Sequence, residues 1–570
     1  MAAAPGNSAT WQAIVKEKQE RQKATIPPKW LIELPDTRAL DVTSIPETCG
    51  LLSARELEIT RSNVEVLLPR LASGSWSAVE VTTAFYKRAI IAHQLTNCLT
   101  EIFIDKALAR AAALDEHLKA TGRVLGPLHG LPVSLKDQIN IEGIEASMGY
   151  VSWLGKYATK NAALVDILLD LGAVPFVKTN VPQTLMWPET FNHIFGRTSN
   201  PHNRSLTSGG SSGGEGALVA LRGSPLGVGS DIGGSVRIPS AFCGVYGFRP
   251  SYNRIPYGGC VNSMEGQDSV LSVLGPISNS VVGLRAFTKS VIEAQPWLKD
   301  PLAIRKRWSP EEYDLIEHNN GKNLCFAILW NDGLTVPHPP IIRGLETTKK
   351  ALIAAGHTVI DWVPHRHGEI YETLRAIWAA GAAEDYAVTT SPTGEPVIST
   401  MSPEPDVAGT EASFRPGKAG ISAYQLWQTQ KRKRELREEY LAHWQQTAGT
   451  TGTGRPVDAI ISPAAAYAAP PHGKNKNADY TMIWNLLDYT TMVIPISKVD
   501  PTIDVKKPAH EFLSDRDRIN YDLYDPSVFA NAPISIQVVG RTLEEEAVLA
   551  LGEIVDNAVK ALSTKATGKM

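Results

Sequence analysis

The 570-residue chain has no run approaching the ~18 consecutive apolar residues that a membrane span requires. It also lacks charge of one sign: 56 Lys and Arg stand against 59 Asp and Glu, a formal net charge of -3. That balance excludes the basic footprint of a protein that works on nucleic acid or an anionic membrane surface. The five cysteines (Cys49, Cys98, Cys243, Cys260, Cys325) are few, scattered and free of any C-x-x-C, so neither a disulfide framework nor a zinc cluster is expected. They read as reduced, mostly buried thiols. H-E-x-x-H is missing, and His365 and His367 are expected at the surface rather than on a metal. Residues 1 to 23 hold no apolar core of signal-peptide length, and the terminal Gly-Lys-Met is not the Ser-Lys-Leu peroxisomal address. These absences predict a soluble, cytoplasmic enzyme with no membrane span, no nucleic-acid partner, no metal and no organic cofactor; a homodimer is compatible with them.

What is present is an ordinary globular composition, 43% hydrophobic, and a change of texture along the chain. Residues 11 to 120 read as helical, with Ser62 and Glu65, and again Ser77 and Glu80, at capping-box spacing. From about 125, helices alternate with strands: LVDILLDLGA precedes VPFVKTN, and IIRGLETTKKALIAAGH precedes TVIDWV. NLCFAILW, DAIISP, MVIPIS and PISIQVVG are further strands, and Thr542 with Glu545 is expected to cap a last helix ending near Leu562. This order predicts an α/β fold with a central mixed sheet covered on both sides by helices. Segments 386 to 420 and 498 to 530 are expected as long surface excursions. The run Lys431 to Arg434 is expected on a helix, with Glu435 and Glu438 neutralising Lys431 and Arg434.

The chemistry concentrates in TSGGSSGGEGALVALRGSPLGVGSDIGGSVRIPSAFCGVYGFRPS, residues 207 to 251. Dense glycine lets backbone amides converge on a small anionic group. A phosphate loop fails because Glu215 and Gly216 follow Gly209 to Gly214 where Lys and Ser or Thr belong, and Gly227, Gly229 and Gly233 miss the dinucleotide spacing by one residue. Gly210 to Gly214 fits G-x-S-x-G on paper, but NRSLTSGG is no hydrophobic strand, and the lone loop histidines His129, His193 and His202 do not supply a general base. A neutral lysine can replace histidine if burial depresses its pKa from about 10.4 by roughly 2–3 units. Lys136, after the apolar run Leu131 to Leu135, is such a lysine.

The Lys136 segment, GGSSGGEGALVALRG and GVGSDIGGSVRIPSAF together resemble the amidase signature family. With GPLHGLP, SMGYVSWL, KTNVPQTLM, NSMEGQ and VPHPP, the resemblance extends over most of the chain, towards the fungal acetamidase and general amidase branch. It implies a single large amidase domain over 76–565, its signature core at about 125–260, behind an N-terminal helical flank, 1–75. It implies hydrolysis of an amide with Ser235 as nucleophile, Ser211 as a bridging serine on a cis peptide, and Lys136 as base. Amides around Ile232, Gly233, Gly234 and Ser235 would form the oxyanion hole, and Leu185 would line the acyl pocket. Ser212 is expected as structural support, and Asp231 and Arg237 as a pair bracing the loop. Met148, Tyr150, Met186 and Trp187 are further apolar residues near the site. The small-molecule substrate stays open between acetamide, arylacetamides of the indole-3-acetamide type and an amide of specialised metabolism. An ammonia-generating amidotransferase subunit and a binding protein without chemistry are the readings from other classes.

Overall fold

The computed structural model describes residues 10–399, 401 and 420–567. Eleven strands form one mixed sheet. From edge to edge they run Leu99–Ile102, Val174–Thr179, Pro132–Lys136, Leu226–Asp231, Val273–Ser278, Tyr246–Arg249, Thr491–Lys498, Pro533–Val539, Ala459–Pro463, Cys325–Ile328 and Thr358–Asp361. Pairing is parallel where Pro132–Lys136 meets both of its neighbours and where Cys325–Ile328 meets both of its own; the other pairs are antiparallel. Helices cover both faces, and alternate residues of the inner strand Cys325–Ile328 pack on opposite sides. Phe326 and Ile328 belong to one apolar cluster, with Leu345 and Leu352 of helix Pro339–Ala354 and Val548 and Val555 of helix Glu545–Thr567. Cys325 and Ala327, between them in sequence, join another, with Ile370 and Leu374 of helix His367–Ala379, Leu436 and Tyr440 of helix Ala423–Gln446, and Ile483 and Leu486 of helix Asp479–Leu487. The expected helix-covered mixed sheet is the one found.

The two αβ units and the four later strands lie where the sequence patterns put them. Helix Ala78–Thr96 starts at Ser77, whose hydroxyl accepts from Glu80 N. Several expectations are corrected. Residues 11 to 120 are not all helical, because Leu99–Ile102 is the edge strand of the sheet, four residues too short to carry a period. Ser62 ends a helix instead of starting one: it is the C-cap of Ala54–Arg61, and the reciprocal capping box belongs to Ser53 and Glu56. Thr542 does not cap the last helix, which begins at Glu545, three residues further on; its hydroxyl donates to Asp488 O. Of the excursion expected at 386–420, residues up to Thr390 continue the helix Ala382–Thr390, and 400 and 402–419 lie outside the described residues, as do residues 1–9 and the terminal Gly-Lys-Met. Segment 498–530 contains the helix Asp515–Leu523. On helix Ala423–Gln446, Lys431 pairs with Glu435 at 3.7 Å, while Arg432 rather than Arg434 makes the network, to Glu369, Glu435 and Glu439. Cys98, Cys243 and Cys325 are buried and Cys49 and Cys260 half-buried. Among the described residues no helix is long and apolar enough to cross a membrane.

In strand Pro132–Lys136, all of it buried, Val133 and Leu135 join the large core. The pleat therefore turns Ser134 and Lys136 to the other face. Its parallel neighbour Leu226–Asp231 ends at the loop 232–236, so Lys136 and that loop meet at the carboxyl ends of adjacent strands, the edge where open α/β sheets place their ligands.

Candidate active site

Lys136 is fully buried at the end of its strand, and its Nζ lies 2.7 Å from Ser211 Oγ and 2.8 Å from Ser230 Oγ. Desolvation outweighs the nearby carboxylates Asp231 and Glu215 and lowers the ammonium pKa from 10.5 to about 7. The amine is then half neutral near pH 7. Ser230 Oγ donates to Gln138 Oε1 and so must accept from Lys136, and Gln138 Nε2 is held in turn by Tyr257 Oη and Val261 O. With one N–H spent on Ser230, the lone pair of the neutral amine is free for the Ser211 hydroxyl. Sequence reading passed over Ser230 and Gln138; the alternation in GVGSD marks a strand end but nothing marks its serine.

The Gly210–Ser211 peptide is cis. The next residue, Ser212, ties the serine loop to the glycine loop: its N–H donates to Ser235 O at 3.2 Å, and its hydroxyl accepts from Ser230 N at 3.3 Å. Strand Leu226–Asp231 admits it because Gly229 has no side chain there; a Cβ would stand 2.7 Å from Ser212 Oγ. Beneath this, Glu215 accepts from Ser134 Oγ and Thr179 Oγ1 at 2.6 and 2.8 Å, and complete burial pushes its carboxyl up to about 8. The glutamate that argued against phosphate is thus a largely neutral buried acid.

Asp231 and Arg237 are paired as expected, through two 2.9 Å bonds with both side chains fully buried. Burial alone would raise the Asp231 carboxyl, but Arg237 and Asn485 hold it far below the ordinary carboxylate range. The carboxylate also accepts from Gly234 N and Val236 N at 2.9 and 3.2 Å. Gly234 N–H is therefore committed to Asp231, which takes it out of the expected set of oxyanion donors. Among the described residues the amides of Ile232, Gly233 and Ser235 carry no such bond. Gly234 has φ +133°, and a Cβ on it would stand 2.2 Å from Thr481 Oγ1, which in turn donates to Gly233 O. Only glycine fits.

Ser235, 8% exposed, opens with Gly210, Ile232 and Gly233 into a cleft of about 430 Å³. Among the described residues its hydroxyl makes no hydrogen bond. Leu185, Met186 and Trp187 form one wall, as expected for Leu185. Met148 and Tyr150 do not reach the cleft; they pack behind, in a cluster with Leu185 and Val181. The facing wall, Tyr371, Trp378, Ala478 and Met482, comes from residues that sequence reading missed. Tyr371 and Trp378 are seven apart, one face of helix His367–Ala379, so the helical period was visible but not what it faces.

The histidines have other work. His129 accepts from Leu125 N, while His193 and His202 bond to Pro396 O and Cys243 O. His365 is half-buried and stacks on His443, but His367 is buried, not exposed, with its ring 3.0 Å from Tyr440 Oη. Aromatic neighbours Tyr440 and Trp484 give it an apolar setting that its polar sequence context hid.

The family model Amidase matches residues 80–549. An acetamidase of Emericella nidulans is 44% identical over 96% of this chain and 98% of its own, and an acetamidase of Aspergillus oryzae is 41% identical over the same shares. Among solved structures, a fatty acid amide hydrolase superposes with a TM-score of 0.88 at 33% identity, covering 96% of this chain and 95% of that one. The family match and these relatives define an amide-hydrolysing enzyme. The chain belongs to the amidase signature family.

Proposed function

We propose that the chain hydrolyses small to medium primary carboxylic amides to carboxylate and ammonia through Ser235, Ser211 and Lys136. The observation that carries this reading is the buried Lys136 amine, held 2.7 Å from Ser211 Oγ with its pKa drawn down to about 7. Neutral Lys136 takes the Ser211 proton as Ser211 takes that of Ser235, and Ser235 Oγ attacks the amide carbon. The Ser235–Ser211 contact closes when substrate binds, as catalytic hydrogen bonds of substrate-free enzymes do. The carbonyl oxygen becomes an oxyanion against the open amides of Ile232, Gly233 and Ser235, each such donor worth about 3 kcal/mol. The lysine proton returns through Ser211 to the nitrogen, the C–N bond breaks and ammonia leaves. Water, deprotonated by the same relay, then attacks the acyl ester and frees Ser235. Ser212 and the Asp231–Arg237 pair position the loops. No metal or organic cofactor takes part in these steps.

Walls of Leu185, Trp187, Trp378 and Met482 suit an apolar acyl group. The acetamidase and fatty acid amide hydrolase relatives support acyl transfer from amides and leave acyl length to these walls. Incubation with acetamide, hexanamide, phenylacetamide and indole-3-acetamide should release ammonia. Ser235→Ala should abolish it while the circular dichroism spectrum is unchanged, and mass spectrometry of the trapped intermediate should find the acyl group on Ser235. An acyl group on Ser211 or Ser212 would overturn the assignment.

A further inference from the structure

Tyr371 lines a second space besides the cleft. On its far side lies an open chamber of about 1010 Å³, more than twice the cleft. The segment around Ala478 separates the two: Ala478 faces the cleft, while Asn477 and Asp479 on either side of it line the chamber. Tyr371, Tyr467 and Leu523 supply apolar surface, and Lys474 and Lys476 stand exposed at its rim. Arg516 also lines it, but its charge is spoken for: the guanidinium is 3.1 Å from Asp479 and from Glu372 and lies 4.5 Å over the Tyr371 ring. Among the described residues neither lysine ammonium has an ion pair or hydrogen bond. Counted over the residues that line it, Lys474, Lys476 and Arg516 stand against Asp479 and the exposed Asp522, which leaves the chamber wall with one positive charge in excess.

We propose that this chamber is a distal substrate subsite, which receives the far end of amides too long for the cleft and, through Lys474 and Lys476, selects those ending in a carboxylate. The inference rests on the hydrolase reading above and adds a substrate class to it: ω-carboxylate monoamides, with the scissile amide at Ser235 and the acid beyond Tyr371. An apolar chain between the two ends would cross Tyr371, and the terminal anion would meet the unpaired ammoniums, an attraction that screens with salt.

The experiment compares monoamides of α,ω-dicarboxylic acids, six to twelve carbons long, with uncharged primary amides of equal length. For the longer chains the ratio of kcat/KM, carboxylate over uncharged, should exceed one at low ionic strength and fall towards one in 0.5 M salt, a concentration at which the Debye length is under about 10 Å. In Lys474→Glu/Lys476→Glu the ratio should drop roughly fivefold or more, because the rim charge is reversed. A ratio that is the same in the variant and the parent overturns the subsite. Hydrolysis of hexanamide by the parent separates the two claims: if neither series is cut, the hydrolase reading fails and takes the subsite with it, whereas both series cut at an unchanged ratio removes the subsite alone.

Discussion

Replacing Lys136 by Met should destroy activity and stabilise the fold, and the stabilisation should depend on pH in a defined way. The amine titrates near 10.5 in the unfolded chain and near 7 in the fold. Between those values the unfolded state binds a proton that the native state does not, so wild-type stability rises with pH across that window by about 1.4 kcal/mol per unit. The full cost of burying this lysine, felt below pH 7, is then on the order of 5 kcal/mol. Methionine of similar length fills the site without a charge to desolvate. The gain of Lys136→Met over the parent, read from urea midpoints, should shrink by about 2 kcal/mol between pH 7 and pH 9, a little less than the full slope because the native amine is still half protonated at pH 7. Other titrating groups cancel in this difference except those coupled to the lysine, and Glu215 is one, being lowered by its charge. Repeating the pair in a Glu215→Gln background removes that coupling. In parallel, kcat/KM of the parent should rise with pH through an apparent pKa near 7, because the working form is the neutral amine. Stability curves that run parallel from pH 7 to 9 would refute the depressed pKa, and with it the argument that this lysine can act as a base.

Arg237→Met leaves Asp231 ionised, fully buried and short of two bonds, and should cost about 3–5 kcal/mol in urea unfolding, whereas a like substitution at exposed Arg518 should cost under about 1 kcal/mol. Gly234→Ala meets both a positive φ and Thr481 Oγ1, so the glycine loop must shift; hydrolysis should fall by at least tenfold, and thermal unfolding should report a loss of about 1–3 kcal/mol. Trp187→Ala enlarges one cleft wall and should move the best acyl chain in a panel of primary amides to a longer one, with about 1–3 kcal/mol in kcat/KM changing hands; an unchanged ranking removes Trp187 from the acyl site.

The parts of the site that were legible in the sequence are those whose chemistry is written in the backbone. Gly233, Gly234 and Ser235 lie in one loop, and Gly210 to Ser212 in another, because converging amides and close backbone approach demand glycine at fixed offsets from the serines. Burial of Lys136 was legible too, from the apolar strand before it and the pleat that turns it away from Val133 and Leu135. Ser230 and Gln138 were not, since a serine at a strand end and a glutamine after a lysine serve many ends; their role follows only from the 2.8 Å contact and the direction of one hydroxyl proton. The far wall was hidden for a different reason. Tyr371 and Met482 are more than 130 residues from Ser235 in sequence, and they reach it because helices His367–Ala379 and Asp479–Leu487 cover one face of a sheet whose strand order departs from chain order. An apolar stripe tells a helix to bury a face and is silent about which loop that face will meet. Reaction type is therefore carried by short local patterns and substrate choice by packing between distant segments, so chains that share the glycine and serine loops can differ in the amide they accept through helices that contain no motif at all.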